Sequence, residues 1–499
     1  MFKNIITLLI ILIISLDLVA QSHIPGADNA VDDLPISFRL LGHLQTKSTF
    51  EIESSNWILG CETLDRDMAD FDEYKEYLAP LGIKRLRLQA GWAKTEKVKG
   101  QYDWQWLDHI IDEAISRGCE PWLQTSYGNP IYSGGGGINL SAGMPTSAEA
   151  LAAWDRWVEA MVIRYQDKVK EWEIWNEPNF GDNAINQPID VAKLNIRTAE
   201  IIKRIQPEAR ISGLSMGHID LAYADTFFKY IHEKGKMQLF DNMTYHDYVY
   251  NPDENYWHVA ELRKVLDKYG PEVKLRQGEN GCPSMGGAGR GALGDYPWSE
   301  FTQAKWNTRR MLGDLGHDME SSILGIIDMN YHLDGPITRL NVKGIIQSDS
   351  TMRAIRPKMA YYAMQHVASV FDHSLSRIKN VKPTFNTKAT VNPREVKYNM
   401  NTDRSLAFYG YEHHNSNKQV YTLWMDENIP TESTETKDIQ LTLIGARMDE
   451  AVYVDIITGK VYEIPKETFH KEEDKLIFER VPVYDAPILI IEKSLVSWK

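Results

Sequence analysis

The glutamate at residue 177 stands where proline interrupts an apolar run. Residues Glu171 to Trp175 are strand-like, and Asn176-Glu177-Pro178-Asn179 follows them. Proline has no amide hydrogen for a sheet ladder, so we expect a strand to end here with Glu177 at its carboxyl end. Enzymes built on a barrel of parallel strands carry their catalytic groups at that end. Glu177 is therefore the first candidate for acid, base or nucleophilic chemistry.

A second glutamate has the same setting later in the chain. The strand-like run Val273 to Gly278 leads directly to Glu279, which is followed by Asn280 and Gly281. If both runs belong to one barrel, Glu177 and Glu279 lie on opposite sides of its mouth. Two carboxyls about 5–5.5 Å apart can divide the cleavage of a glycoside, one protonating the leaving oxygen and one attacking the anomeric carbon. The alternative for Glu279, a solvated loop residue, is disfavoured by the motif at Glu177.

The elements that must position these groups alternate between strand and helix patterns. Helical stripes, such as Trp154 to Tyr165 behind a Thr146-x-x-Glu149 capping box, separate eight strand candidates. This alternation predicts an α/β fold with a (β/α)8 barrel over residues 56–370. The strand candidates are Trp57–Glu62, Ile83–Gln89, Pro121–Ser126, Val169–Trp175, Arg210–Ser215, Asn242–Tyr248, Val273–Gly278 and Ile323–Met329.

The pattern changes after the barrel. Residues 371–499 contain short runs rich in β-branched residues and divided by turns such as Thr458-Gly459-Lys460, which is typical of an antiparallel β-sandwich. This region has no cluster of acid, base and nucleophile, so we expect it to be a structural accessory domain. Residues 21–55 lack strong periodicity, and we expect them to contribute an edge strand to the sandwich.

Residues 1–20 have the pattern of a secretory signal peptide. Lys3 precedes a mostly apolar run from Ile5 to Leu18, and Ala20 offers a small residue before the expected cut. The alternative is a retained membrane anchor, which the shortness of the run disfavours. We therefore expect a secreted or periplasmic protein with no membrane contact after cleavage.

Composition and charge further restrict the class of protein and the kind of partner that we expect. The 499 residues are 43% hydrophobic and 25% charged, which is ordinary for globular domains. The formal net charge of −14 argues against a nucleic acid partner. The three cysteines, Cys61, Cys119 and Cys282, are far apart and odd in number, so neither a disulfide framework nor a zinc cluster is expected. The site chemistry proposed above needs no metal and no cofactor.

These motifs resemble the retaining glycoside hydrolases of clan A, and most of all glycoside hydrolase family 39, over residues 56–370. The resemblance implies that Glu177 is the acid/base and Glu279 the nucleophile. It further implies that Asn176 binds the sugar 2-hydroxyl. His246 and Tyr248 resemble the His-x-Tyr of strand six, whose tyrosine touches the nucleophile, and Arg87 resembles the arginine that keeps the nucleophile ionised.

Several aromatic residues are candidates for stacking on sugar faces. Trp92, Tyr127 and Trp298 follow strand ends, but large aromatic side chains are equally common in cores. The clan often has a tryptophan at the end of strand eight. Here Asp328-Met329-Asn330-Tyr331-His332 stands in that place, so Tyr331 or Asn330 is the expected substitute.

The sequence thus predicts a secreted retaining glycosidase acting on an oligosaccharide or polysaccharide through a bond of β configuration. Long loops at residues 127–144 and 281–297 leave the barrel mouth and are expected to wall it, which predicts exo action. The alternatives are an endo-acting glycanase, a transglycosylase on the same residues, and a carbohydrate-binding barrel without catalysis. The sugar itself is not predictable, because specificity depends on loop shape.

Overall fold

The structure is a computed structural model that describes residues 34–140, 142–180, 185–287, 290–332, 338–385 and 406–499. The expected signal peptide at residues 1–20 lies outside this part of the chain. Within the described part, no helix combines the length and the apolar composition needed to cross a membrane.

Eight parallel strands close into a barrel, and each overlaps a strand predicted from the sequence. In chain order they are Trp57–Gly60, Arg85–Gln89, Glu120–Thr125, Glu171–Ile174, Arg210–Met216, Asn242–His246, Lys274–Asn280 and Ser321–Leu324, numbered here as barrel strands 1 to 8. Strand 8 pairs with strand 1, with Trp57 opposite Ser321. Because all eight run in one direction, their carboxyl ends open on a single face.

Helices surround the barrel and bury apolar side chains. The helix Ala148–Tyr165 buries Trp154 and Trp157, as its sequence stripe predicts. Its N-cap is not the predicted Thr146 but Ser147, whose side chain accepts from the amide of Ala150 at 3.1 Å. The α-helices are Phe71–Tyr74, Leu78–Leu81, Trp92–Thr95, Gln105–Ser116, Ala148–Tyr165, Pro188–Ile205, Leu221–Glu233, Tyr256–Asp267, Glu300–Gly316 and Met359–Val370. Short 3-10 turns span Leu64–Arg66, Lys75–Tyr77, Met237–Leu239, Lys466–Thr468 and Lys493–Leu495.

Two antiparallel sheets follow the barrel. In spatial order the larger contains Arg39–His43, Lys460–Glu463, Ala451–Asp455, Ile488–Glu492, Gln419–Trp424, Ala407–His413 and Leu375–Ile378. The smaller contains Lys382–Phe385, Lys437–Ile444, Lys475–Val483 and Phe469–Glu472. Strand Lys437–Ile444 buries Ile439, Leu441 and Leu443 in alternation, as a strand with one face in a core must. The predicted fold class, a (β/α)8 barrel with a C-terminal β-sandwich, is confirmed.

Two hairpins lie between barrel strand 8 and the last helix. Met329–His332 pairs with Thr338–Asn341, and Ile346–Ser348 pairs with Ala354–Pro357. At the other end of the chain, strand Arg39–His43 precedes the barrel but pairs with Lys460–Glu463 in the large sheet. The large sheet therefore contains one strand that precedes the barrel in the chain and six that follow it.

The helix Glu300–Gly316 connects the barrel to the sandwich and is buried along most of its length. Arg309 donates from Nε to the Asp253 carboxylate of the barrel at 2.7 Å, and from Nη2 to the Asn428 carbonyl of the sandwich at 3.0 Å. Lys305 donates to two backbone carbonyls and one carboxylate of the sandwich. Buried cations are tolerated only with such full pairing, so these contacts hold the two parts in one relative position.

Candidate active site

A cavity of about 250 Å³ opens at the carboxyl end of the barrel strands. Both candidate glutamates, Glu177 and Glu279, line it. The other lining residues are Glu62, Thr63, Arg66, Met68, Gln89, Tyr127, Asn139, Leu140, Asn176, Leu324 and Tyr331. A concave site with a few converging polar groups at this end of a barrel is where such folds bind their ligands.

The backbone after barrel strand 4 turns sharply to present Glu177. Strand 4 ends at Ile174, and both Trp175 and Glu177 adopt the left-handed region, with φ of 65° and 46°. Such conformations are unfavourable for residues other than glycine and recur at functional sites. The amide of Glu177 donates to the carbonyl of Ser215 at 2.8 Å, which ties it to strand 5. A Cβ on Gly217 would lie 3.0 Å from the Glu177 side chain, so a larger residue there would press on that carboxyl group's side chain.

Glu279 is the penultimate residue of barrel strand 7 and is held by two donors. Tyr248 donates its hydroxyl to Oε1 at 2.7 Å, and Arg87 donates from Nη1 to Oε2 at 2.8 Å. One carboxylate oxygen of Glu279 lies within 4.8 Å of one of Glu177. This spacing matches the short separation of retaining glycosidases rather than the 6.5–9.5 Å of inverting ones.

The guanidinium of Arg87 is fully buried at the centre of the site. Each of its five N–H groups has a partner. Nε donates to Glu173 at 2.7 Å; Nη1 to Glu62 at 2.7 Å and to Glu279 at 2.8 Å; and Nη2 to Asn176 at 2.8 Å and to His246 at 3.3 Å. Arg87 therefore supplies one positive charge to three carboxyls and fixes their orientation.

His246 bridges Arg87 and Glu177. Arginine has no acceptor, so Nε2 of His246 must accept from Arg87, and a neutral ring then carries its proton on Nδ1. Nδ1 lies 2.7 Å from Oε1 of Glu177 and 3.6 Å from Oε2 of Glu279. The histidine thus donates to Glu177 and stands between the two carboxyls.

Burial and nearby charges shift the pKa values of the two glutamates in opposite directions. Burial raises the pKa of Glu177, and the charge of Glu279 raises it further, against the opposing hydrogen bond from His246. Burial also acts to raise the pKa of Glu279, but His246, Arg87 and Tyr248 outweigh it and hold that pKa below its ordinary value. One carboxyl is therefore poised to hold a proton and the other to be ionised, which is the division that acid and nucleophile require.

A third carboxyl, Glu62, belongs to the same group. Burial is the largest cause that raises its pKa to about 7; Arg87 opposes this, and the charge of Glu279 adds to it. Its Oε1 accepts from Arg87, whereas Oε2 is buried without a hydrogen-bond partner. Glu62 thus shares Nη1 of Arg87 with the candidate nucleophile.

Glu177, His246 and Glu279 could also offer one ligand atom each to a metal ion. Arg87 already supplies a positive charge to Glu279, and its bond to His246 leaves the proton of that ring on Nδ1, the atom that faces the glutamates. A cation between them would have to displace this proton and would be repelled by the guanidinium. The set fits a proton-transfer site better than a metal site.

Most of the residues proposed from the sequence converge here. Asn176 accepts from Arg87 and donates from Nδ2 to the Tyr127 hydroxyl at 2.7 Å. Tyr127 and Tyr331 line the cavity, and the Tyr331 hydroxyl accepts from Asn341 at 2.9 Å. His246 and Tyr248 contact the glutamates directly, as described above.

Two of the proposed sugar contacts lie elsewhere. Trp92 is fully buried, stacks on Trp157 with ring centroids 5.9 Å apart, and donates to Glu96 at 2.5 Å. Trp298 packs on Tyr296 with centroids 4.6 Å apart, in a small buried cluster. Neither lines the cavity, and both are buried in packed clusters, so the expected contacts of Trp92 and Trp298 with sugar faces are wrong.

The sequence reasoning missed Arg66, which lines the cavity from the loop after barrel strand 1. Arg66 lies over the Tyr127 ring at 4.8 Å and donates from Nη2 to Gln89 at 2.9 Å. Thr63 and Met68 of the same loop also line the cavity. In the sequence, only the position of this loop after the carboxyl end of a barrel strand could have indicated that its residues line the cavity.

Comparison with known proteins concerns the sequence and the fold as a whole. No family model matches the sequence. The chain is 27% identical over 152 residues to an aryl-phospho-β-D-glucosidase of Bacillus subtilis (strain 168), covering 29% of this chain and 30% of that protein. It is 27% identical over 145 residues to a 6-phospho-β-glucosidase of Clostridium longisporum, covering 27% of this chain and 28% of that protein. The chain therefore matches less than a third of the length of either relative.

Solved structures match over a far larger share. A family 39 glycoside hydrolase from the gut symbiont Bacteroides cellulosilyticus WH2 superposes with a TM-score of 0.58 at 17% identity, over 88% of this chain and 81% of that one. A family 39 β-xylosidase from Caulobacter crescentus gives a TM-score of 0.55 at 15% identity, over 91% and 98%. At such identities the likeness concerns the fold. In its fold, this chain is most like the glycoside hydrolases of clan A and family 39, and the resemblance stated from its sequence is confirmed.

Proposed function

We propose that this protein is a retaining β-glycosidase that works by double displacement, with Glu279 as nucleophile and Glu177 as acid/base. The main support for this proposal is the spacing and the electrostatics of the carboxyls of Glu177 and Glu279. Two carboxyls at a barrel mouth lie within 4.8 Å of each other, and their surroundings shift their pKa values in opposite directions. Pairs of titratable groups separated in this way are the usual sign of an acid and its partner base or nucleophile.

In the first step Glu279 attacks the anomeric carbon and the glycosidic bond breaks. Glu177 transfers its proton to the leaving oxygen, and a glycosyl ester forms on Glu279. Arg87 and Tyr248 favour the ionised Glu279 that this attack requires. The His246 proton on Nδ1 supports the negative charge that Glu177 acquires.

In the second step Glu177 acts as base. Once Glu279 is esterified its charge disappears, which removes one cause that kept the Glu177 proton bound. Glu177 then takes a proton from water, the water oxygen attacks the anomeric carbon, and Glu279 leaves as a carboxylate. Glu62 remains as a partner for Arg87 while the nucleophile is esterified.

The size of the cavity supports exo action, with removal of a terminal sugar. At about 250 Å³ it is small, and Asn139 and Leu140 of the loop at residues 127–144 line its wall. A pocket of this kind accepts a chain end rather than the middle of a polymer. An early ladder of intermediate oligosaccharides during digestion would contradict exo action.

We further propose that the protein is exported. The pattern of residues 1–20 supports this proposal. N-terminal sequencing of protein recovered from the periplasm or medium should begin at Gln21, and full-length protein confined to the cytoplasm would contradict export.

The decisive experiment determines the anomeric configuration of the first product. A panel of 4-nitrophenyl β-glycosides identifies the accepted sugar, and NMR during early turnover then shows which anomer is released. We expect the β anomer first, because two inversions restore the configuration. Release of the α anomer would exclude the double displacement. If the protein cleaves none of the glycosides but still binds sugars, it is a carbohydrate-binding barrel without catalysis.

A further inference from the structure

Arg66 brings a second cation to the cavity, in addition to the buried Arg87. Its guanidinium lies over the face of the Tyr127 ring, with 4.8 Å between Cζ and the ring centroid. Nη2 donates to Oε1 of Gln89 at 2.9 Å, and Nε donates to Oδ1 of Asp65 at a longer 3.4 Å. Nη1 has no hydrogen-bond acceptor among the residues that the structure describes, and the side chain remains 11% exposed. Arg66 therefore keeps donors that a ligand in the cavity can use.

The loop after barrel strand 1 holds Arg66 in a fixed position. The 3-10 turn Leu64–Arg66 lies between Thr63 and Asp67, which adopt the left-handed region with φ of 70° and 56°. This conformation is unusual for a β-branched residue and recurs at functional sites. The amide of Thr63 donates at 3.0 Å to the same oxygen of Gln89 that binds Arg66. Gln89 thus orients both the loop and the guanidinium, so a ligand does not have to order them.

A second cavity, of about 210 Å³, adjoins the first and shares Arg66 and Tyr127 with it. Five charged side chains line this second cavity, namely Asp65, Arg66, Asp67, Lys94 and Lys97. The two aspartates pair with Arg66 and Lys94. Lys97 is exposed and has no carboxylate partner within the described part of the chain. With three cations and two carboxylates, this wall has a local excess of positive charge, although the chain as a whole carries −14.

The terminal sugar of the substrate must lie close to Arg66. In the proposed function, on which this inference rests, that sugar lies beside Glu177 and Glu279, and Arg66 lines the same small cavity. Guanidinium groups bind carboxylates and phosphates through strong, charge-assisted hydrogen bonds, and the positive potential around Lys97 favours a negatively charged ligand. We propose that the terminal sugar carries an anionic substituent, namely a carboxylate, a sulfate or a phosphate group, and that Arg66 binds this group through Nη1.

Pairs of 4-nitrophenyl β-glycosides that differ only in charge test the anionic site. Glucose, galactose and mannose are each supplied as the neutral glycoside and as its uronide, 6-sulfate and 6-phosphate. We expect one anionic form of the accepted sugar to exceed its neutral parent in kcat/KM by about 10- to 150-fold, the range for a hydrogen bond to a charged group. The preferred form identifies the anionic group.

Variants show whether Arg66 and its surroundings cause this ratio of anionic to neutral kcat/KM. Arg66→Met should reduce the ratio to about one, and Arg66→Lys, which keeps the charge, should retain part of it. Lys97→Met, at an exposed position, should reduce the ratio by about two- to fivefold. The matched control is Lys99→Met, which removes a cation that pairs with Glu149 at 2.7 Å and lines neither cavity. This control should keep the ratio.

A neutral parent that equals or exceeds every anionic form in the unaltered protein would overturn the anionic site, as would an Arg66→Met protein that keeps the full ratio. These results leave the glycosidase itself intact, because they require turnover. Failure of the proposed function has a different signature, since no glycoside in the set, neutral or anionic, would then be cleaved.

Discussion

Replacing Arg87 by methionine tests the electrostatic core of the site. The substitution keeps an unbranched side chain but removes five donors, three of which bind carboxylates. The guanidinium favours the ionised form of Glu279, which the attack requires. Without it the Glu279 carboxyl retains its proton to higher pH, so the acidic limb of the pH profile of kcat/KM should shift to higher pH.

The size of the effect follows from the contacts. A hydrogen bond to a charged group contributes about 1.5–3 kcal/mol, so loss of the bond to Glu279 should lower kcat/KM on the acidic limb by roughly 10- to 150-fold. Stability should fall as well, by about 3–5 kcal/mol, because buried carboxylates lose their countercharge. Denaturant unfolding and a pH profile of kcat/KM on one aryl glycoside measure the two effects separately.

Arg85 provides a matched control two residues earlier on the same strand. It is almost as deeply buried and pairs with Glu320 at 2.9 Å and with Glu171 at 3.7 Å, away from the cavity. Arg85→Met should lower the free energy of unfolding without moving the acidic limb. A folded Arg87→Met protein whose limb coincides with that of the unaltered enzyme would refute the role assigned to Arg87.

Four further outcomes are expected. Glu279→Ala should lower kcat by several orders of magnitude, and azide should yield the glycosyl azide of inverted configuration; near-normal turnover would remove Glu279 as nucleophile. Glu177→Gln should spare the first step on activated aryl glycosides and abolish it on unactivated ones, whereas equal losses on both would indicate structural damage. Because the pKa of Glu62 is raised to about 7, the folded state holds a proton that the unfolded chain releases, and this contribution to stability is lost as pH rises towards 7. Glu62→Gln should therefore gain stability relative to the unaltered protein between pH 5 and pH 8 in denaturant titrations, and a constant difference would contradict this. Arg309→Met should weaken barrel and sandwich together by about 3–5 kcal/mol, and calorimetric loss of the sandwich alone would show that the buried cation does not couple them.

The sequence alone predicted the fold and the two glutamates, because both depend on local patterns. The alternation of strand and helix periods placed all eight barrel strands, since each strand appears as a short strand-like run and the surrounding helices as apolar stripes with helical spacing. Glu177 and Glu279 were found because each follows such a run, and proline forces the first of these runs to end. Strand ends in a barrel share one face whatever the details of packing.

The tertiary structure decided where the side chains point. Trp92 and Trp298 follow strand ends as Tyr127 does, yet only Tyr127 reaches the cavity, because the path of each loop depends on distant packing. The electrostatics are also tertiary: Arg87 and His246 come from strands 2 and 6, and with Tyr248 they lower the pKa of Glu279, whereas burial raises the pKa of Glu177. Such contacts link residues far apart in the chain, so no local pattern encodes them.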